Sequence, residues 1–181
     1  MILVINGTNR PGNKSQIVSK YCFEYLSKNF EEQIKFFNLE DINNFDLSFN
    51  IYNKSDININ LEKIQDELFI PSNDWIIISP EYNGSFPGVL KFFIDALSSR
   101  KYDFVFKKKN IGLIGTSDGR DGNLRGMDHL TSFLNYLKIT VYHNKLPISS
   151  LSNLIKNDEL TQDVQLVLNQ YLDDYMTWKM R

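Results

Sequence analysis

The chain has 181 residues, 42% of them hydrophobic and 13% aromatic, and carries 20 Lys and Arg against 22 Asp and Glu for a net charge of −2. That composition excludes a disordered polymer and predicts one domain over residues 1–181. The near-neutral charge argues against general nucleic-acid binding, which draws on Lys and Arg, and a single cysteine excludes a disulfide framework or a Cys-rich metal centre.

Residues 2–6 are a short apolar run stopping at Gly7, the mark of a buried strand. With no basic segment before it and no apolar run near ~20 residues anywhere, neither a secretory signal nor a membrane span is expected. The expected location is the cytoplasm. Residues 13–29 have helical period, with Ile17, Val18, Tyr21, Cys22, Tyr25 and Leu26 on one stripe, so Cys22 reads as a small core residue. Residues 33–39 predict a strand and 61–69 a short helix. Between them, residues 41–60 are Asn-rich and irregular, too long for a plain connection, and read equally as a lid or interface loop and as a solvated loop.

Residues 75–79 (WIIIS) are the clearest buried strand, stopped by Pro80. A helix over 86–97 follows, with Phe86, Val89, Leu90, Phe93, Ile94 and Leu97 on one face. The run Lys107-Lys108-Lys109 reads as a solvated loop before a strand at 110–116. A helix at 123–137 and a strand at 139–142 come next. The last element is a helix over 157–178, with Asn157 as its cap and Asp158 and Glu159 in its first turn. Apolar strands alternating with helices make an α/β three-layer sandwich. Five parallel strands in this length suit the flavodoxin-like order 2-1-3-4-5, whose ligands sit at the carboxyl ends of the strands near the order reversal.

The nine glycines fall in three windows, after the first, third and fourth strands or within the fourth. The first window runs from Gly7 to Gln16 and opens a helix, whose unpaired N–H groups and dipole suit a phosphate. Thr8 and Ser15 add hydroxyls and Arg10 a guanidinium. Asn13 inserted before Lys14 breaks the Walker pattern G-x-x-x-x-G-K-[ST], and G-x-G-x-x-G is absent, so a phosphate monoester fits better than a nucleoside triphosphate or dinucleotide. In the second window, Pro80 to Gly88, Gly84 lets the backbone approach a flat group, Tyr82 can stack on a ring and Ser85 is a candidate helix cap. The third, Gly115 to Gly126, frees backbone N–H groups for ring carbonyls. The string Gly115-Thr116-Ser117-Asp118-Gly119 also matches a nucleophile elbow, G-x-S-x-G, but the order of acids and histidines downstream is reversed for a hydrolase.

Together the loops GTNRPGNKS, PEYNGSFPGVLKFFIDALS and GTSDGRDGNLRGMDHL resemble the NADPH-dependent FMN reductase family over about residues 1–145. The resemblance implies that Thr8, Arg10, Ser15 and Gln16, with backbone N–H groups near Asn13 and Lys14, hold the FMN phosphate. It implies that Pro80, Glu81, Tyr82, Asn83 and Gly84 line the isoalloxazine, with Ser117 and Gly119 closing on its other side. It further implies a homodimer or homotetramer, with residues 45–50 (FDLSFN) walling a neighbouring site. The implied activity is transfer of electrons from NADPH or NADH through FMN to a small acceptor such as a quinone, azo compound or free flavin. No side chain is then needed as a catalytic acid or base, no metal is implied, and His129 and His143 read as structural. A flavodoxin-type electron carrier is the alternative; the modest charge and Arg10 argue against its strongly acidic docking face and Arg-free phosphate loop.

Overall fold

The computed structural model describes residues 1–42 and 59–180, so the expectations for residues 43–58, including Phe45–Asn50, lie outside the described residues. The chain alternates β1 (Ile2–Asn6), α1 (Ser15–Asn29), β2 (Ile34–Asn38), α2 (Ile59–Ile64), β3 (Asp74–Pro80) and α3 (Gly88–Ser98). There follow a short α4 (Tyr102–Phe106), β4 (Asn110–Thr116), α5 (Leu124–Tyr136), β5 (Thr140–Val141) and β6 (Leu146–Ile148). A small hairpin of β7 (Ile155–Lys156) and β8 (Glu159–Leu160) leads into α6 (Gln162–Lys179).

The main sheet is parallel, in the order β2-β1-β3-β4-β5. Its strands are apolar on both faces because both faces are covered. Leu3, Ile5, Trp75 and Ile77 pack into one core with Phe93, Leu97, Leu130 and Leu134 of α3 and α5. Ile2, Val4, Ile76 and Ile78 pack into the other with Val18, Cys22 and Leu26 of α1 and Leu168 and Leu172 of α6. All four apolar residues Trp75 to Ile78 are 0% exposed; at ~1.5–3 kcal/mol per buried side chain they anchor the molecule. Gly112 faces α6, and a Cβ there would lie 2.9 Å from the Tyr171 hydroxyl oxygen and 2.8 Å from Ile76, so its bareness is a packing requirement.

Three expectations change. The fifth sheet position is shared by two pieces: β5 pairs with the start of β4 and β6 with its end, Ile114↔Leu146 through Thr116↔Ile148. Helix α6 begins at Gln162, not at Asn157. Asn157 and Asp158 have φ of 51° and 62° and form the turn between β7 and β8, since consecutive Asn and Asp tolerate the left-handed region that a two-residue hairpin demands. The lysine run is not uniformly solvated: Lys109 is 3% exposed and its ammonium donates to the carbonyls of Ile70 at 2.9 Å and Ser72 at 2.6 Å. A short α4 precedes it, closed by an ion pair between Lys107 and Asp103.

Candidate functional site

The loops after β1, β3 and β4 meet at the carboxyl edge of the sheet, where the strand order reverses about β1 and β3. Between them lies a cavity of about 410 Å³, bounded by Arg10 to Ser15, by Pro80, Glu81 and Tyr82, by Thr116 to Gly119, and by Leu151. The volume is that of a small-molecule site.

The first loop is held from behind by buried amides. Asn6, at the end of β1, donates to Asn38 Oδ1 at 2.8 Å and to Asn13 Oδ1 at 3.2 Å. Asn13 caps α1: its Oδ1 accepts the Gln16 N–H at 3.0 Å. The Ser15 hydroxyl turns inward as well, toward Asn6 Oδ1 and Asn13 Oδ1. Among the described residues no backbone carbonyl accepts from the N–H of Gly12, Asn13, Lys14 or Ser15, which leaves these donors and the α1 dipole at the cavity end beside Arg10.

The second loop is a tight hairpin. Tyr82 N–H donates to Ser85 O at 2.7 Å and Ser85 N–H to Tyr82 O at 3.1 Å, with Asn83 at φ 52° and Gly84 at φ 78° in the two central positions. The turn leaves Tyr82 on the cavity wall, its hydroxyl 2.8 Å from Thr8 Oγ1. Ser85 does not cap α3; its hydroxyl lies 2.9 Å from His129 Nδ1. His143 packs edge-on to Tyr142.

The third loop is bound to the β6 end. Ser117 N–H donates to Ile148 O, Leu151 N–H to Ser117 O and Ser150 N–H to Gly119 O, each at 3.0 Å. Ser117 Oγ accepts from Gly122 N–H at 3.1 Å and donates to Gly119 O at 3.2 Å, so it shapes the loop and has no histidine partner among the described residues. Asn123 ties the loop to the second window, its Nδ2 reaching Ser79 O at 2.9 Å and Pro80 O at 3.1 Å. Asp118 accepts from Ser152 N–H at 2.8 Å and from the Ser152 hydroxyl. These bonds, and then the nearby Lys14 ammonium, hold its carboxyl below the usual range.

Nine of the thirteen predicted binding residues line this cavity: Arg10, Asn13, Lys14, Ser15, Pro80, Glu81, Tyr82, Ser117 and Gly119. Thr8 lies behind it, fully buried and bonded to Tyr82. Asn83 and Gly84 form the tip of the hairpin, and Gln16 faces a neighbouring surface groove between α1 and the β7–β8 hairpin. The sequence reading missed Leu151, which β6 delivers; the signal was the run Leu146-Pro147-Ile148, masked by its proline. Among the described residues no group of three or more His, Cys, Asp or Glu gathers at metal-binding distance, and no helix is long and apolar enough to cross a membrane.

Residues 1–151 match the family described as NADPH-dependent FMN reductase. The chain is 31% identical over 111 residues to a 2-hydroxy-1,4-benzoquinone reductase from Burkholderia sp, covering 57% of this chain and 58% of that protein. It is 24% identical over 177 residues to an NADPH azoreductase from Bacillus sp. (strain OY1-2), covering 96% and 89%. The solved structure of FerB, a flavoenzyme NAD(P)H:(acceptor) oxidoreductase from Paracoccus denitrificans, superposes with a TM-score of 0.79 over 99% of this chain and 96% of that one, at 20% identity. That last likeness establishes the three-layer flavodoxin-like fold.

Proposed function

Because the chain belongs to the NADPH-dependent FMN reductase family, we propose that it is an FMN-dependent NAD(P)H oxidoreductase that passes electrons to a small acceptor of the quinone or azo class. The observation that carries the reading is the meeting of all three glycine-bearing loops around one cavity, whose lining combines cations and a helix start with a tyrosine, a proline and a glycine. The first loop offers Arg10, Lys14 and the start of α1 to a phosphate; the second and third offer Pro80, Tyr82 and Gly119 to a flat ring. The donor set therefore fits FMN.

In this reading Arg10, Lys14 and the N–H groups of Gly12 to Ser15 hold the phosphate, and Pro80, Glu81 and Tyr82 lie along the ring. Bound FMN supplies hydride acceptance from a nicotinamide and electron donation to the acceptor. The protein's share is binding and orientation. Thr8 fixes the Tyr82 hydroxyl, and Ser117 holds the shape of the third loop along the cavity. Asn83 and Gly84 contribute by making the turn that presents Tyr82. The reading includes a cytoplasmic homodimer or homotetramer, which light scattering on the purified protein tests; a monomer overturns that part alone.

The direct test is spectroscopic. Purified protein mixed with FMN should retain a flavin absorbance after gel filtration, and anaerobic NADPH or NADH should bleach it. No retained FMN overturns the proposal. Retained FMN that neither nicotinamide bleaches points to a flavodoxin-type carrier.

A further inference from the structure

The side-chain hydroxyls that the first loop offers to a phosphate are already spent on the scaffold. Ser15 bonds Asn6 and Asn13, and Thr8 bonds Tyr82. The Gln16 and Ile17 N–H groups are spent too, on Asn13 and on Lys14 O. What remains at the phosphate end is the N–H row of Gly12 to Ser15 and two cations, Arg10 and Lys14.

Lys14 is differently placed from Arg10. Its ammonium bonds the Ser152 hydroxyl and stands 3.7 Å from Asp118 Oδ2, so its side chain reaches from the first loop to the third. Lys14 and Asp118 both line the cavity. Asp118 is the anchored member of the pair, because Ser152 N–H holds its other oxygen at 2.8 Å. Lys14 is the movable one, an unbranched stem whose side chain is 49% exposed. A contact of 3.7 Å between two exposed groups is weak. A phosphate monoester carries about −1.5 to −2 charges and competes well against one carboxylate.

We propose that Lys14 is a specificity residue whose ammonium is exchanged between Asp118 and the phosphate of the bound ligand, so that the site selects phosphorylated over unphosphorylated flavin and Asp118 sets how strongly. The inference rests on the FMN reading above and adds a role for two side chains toward that group. The depressed titration of Asp118 agrees with it, since a carboxylate that stays ionised remains a standing competitor for the ammonium. Ser152, which positions Asp118, follows directly on Leu151, the last residue of the span matched to the family.

The test measures FMN and riboflavin affinity by fluorescence quenching for the full chain and for Lys14→Met, Asp118→Asn and the double variant. Lys14→Met should weaken FMN about tenfold, the usual worth of one charge-assisted contact, and leave riboflavin within about twofold. Asp118→Asn should tighten FMN several-fold by freeing Lys14, again without changing riboflavin, and should have no effect in the Lys14→Met background. Lys14→Arg should restore part of the lost FMN affinity. Equal losses for both flavins in Lys14→Met would show a structural role and overturn the proposal. So would an Asp118→Asn variant that binds FMN more weakly, because the pair would then be holding the loops together. Full-length protein that binds neither flavin overturns the functional reading and this inference together; normal FMN binding with unaltered variants overturns only this inference.

Discussion

Arg10 is exposed at the phosphate end of the cavity and has no ion pair among the described residues, so its guanidinium is available to a ligand. Arg10→Ala should weaken FMN binding by roughly 1.5–3 kcal/mol, the worth of a hydrogen bond to a charged group, with little change in stability. Titration calorimetry measures it, and unaltered affinity would refute the assignment. Asn123 works in the opposite manner, entirely inside the protein. It is 1% exposed, and its Nδ2 bonds two carbonyls that immediately precede Glu81 and Tyr82. Asn123→Ala would leave Ser79 O and Pro80 O short of a donor. A loss of about 1–3 kcal/mol in urea unfolding is expected, together with weaker FMN binding because Glu81 and Tyr82 lose their alignment. Arg10 was legible from its chain position; Asn123 was not, since only the fold brings residue 123 beside residues 79 and 80.

At the level of elements, two glycines with different surroundings make a matched pair. Gly122 has φ 54°, and a Cβ there would sit 2.6 Å from Ile148 N, the backbone of the β6 strand. Gly88 opens α3 with nothing within 4 Å of a built Cβ. Gly122→Ala should therefore cost upward of about 2 kcal/mol through strain and overpacking. Gly88→Ala should be neutral or stabilising by up to about 1 kcal/mol, through the unfolded chain's lost freedom. Denaturant midpoints compare them directly, and equal effects would show that the β6 contact does not restrain the third loop. The same contact explains why β6 was hard to read. Three residues with a central proline make a poor strand in isolation, and Leu146–Ile148 is a strand because β4 presents an unpaired edge to it. The start of α6 was misread for a related reason: Asn and Asp suit a helix cap and a hairpin turn equally, and pairing of Ile155 with Leu160 chooses the turn.

Over the whole molecule, the cavity edge and the opposite edge of the sheet carry different electrostatics. Lys109 lies at the far end, where burial pulls its ammonium down to about 8, with Asp74 opposing the shift. Its folded value is below the ordinary lysine value of 10.5, so between pH 8 and 10.5 the unfolded chain holds the extra proton. Stability attributable to this group is therefore reduced below pH 8 and recovers as the pH rises through that window. The stability difference between the natural chain and Lys109→Met should move in favour of the natural chain by on the order of 1–3 kcal/mol from pH 7 to 10, measured by urea unfolding. A pH-independent difference would refute it.

What the sequence determined by itself is the alternation of elements, the parallel sheet with its order, and the location of three glycine-bearing loops at three strand ends. These follow from local apolar periodicity and from glycine placement, both of which act over a few residues. What only the tertiary structure decided is which groups in those loops face the cavity. Ser15 is spent on the Asn6–Asn13 network, Thr8 on Tyr82, and Lys14 crosses to Ser152 and Asp118; the last three contacts join residues 74, 138 and 104 positions apart. A hydroxyl or ammonium bonds whatever partner the packed chain brings within about 3 Å, and no local pattern records which partner that will be.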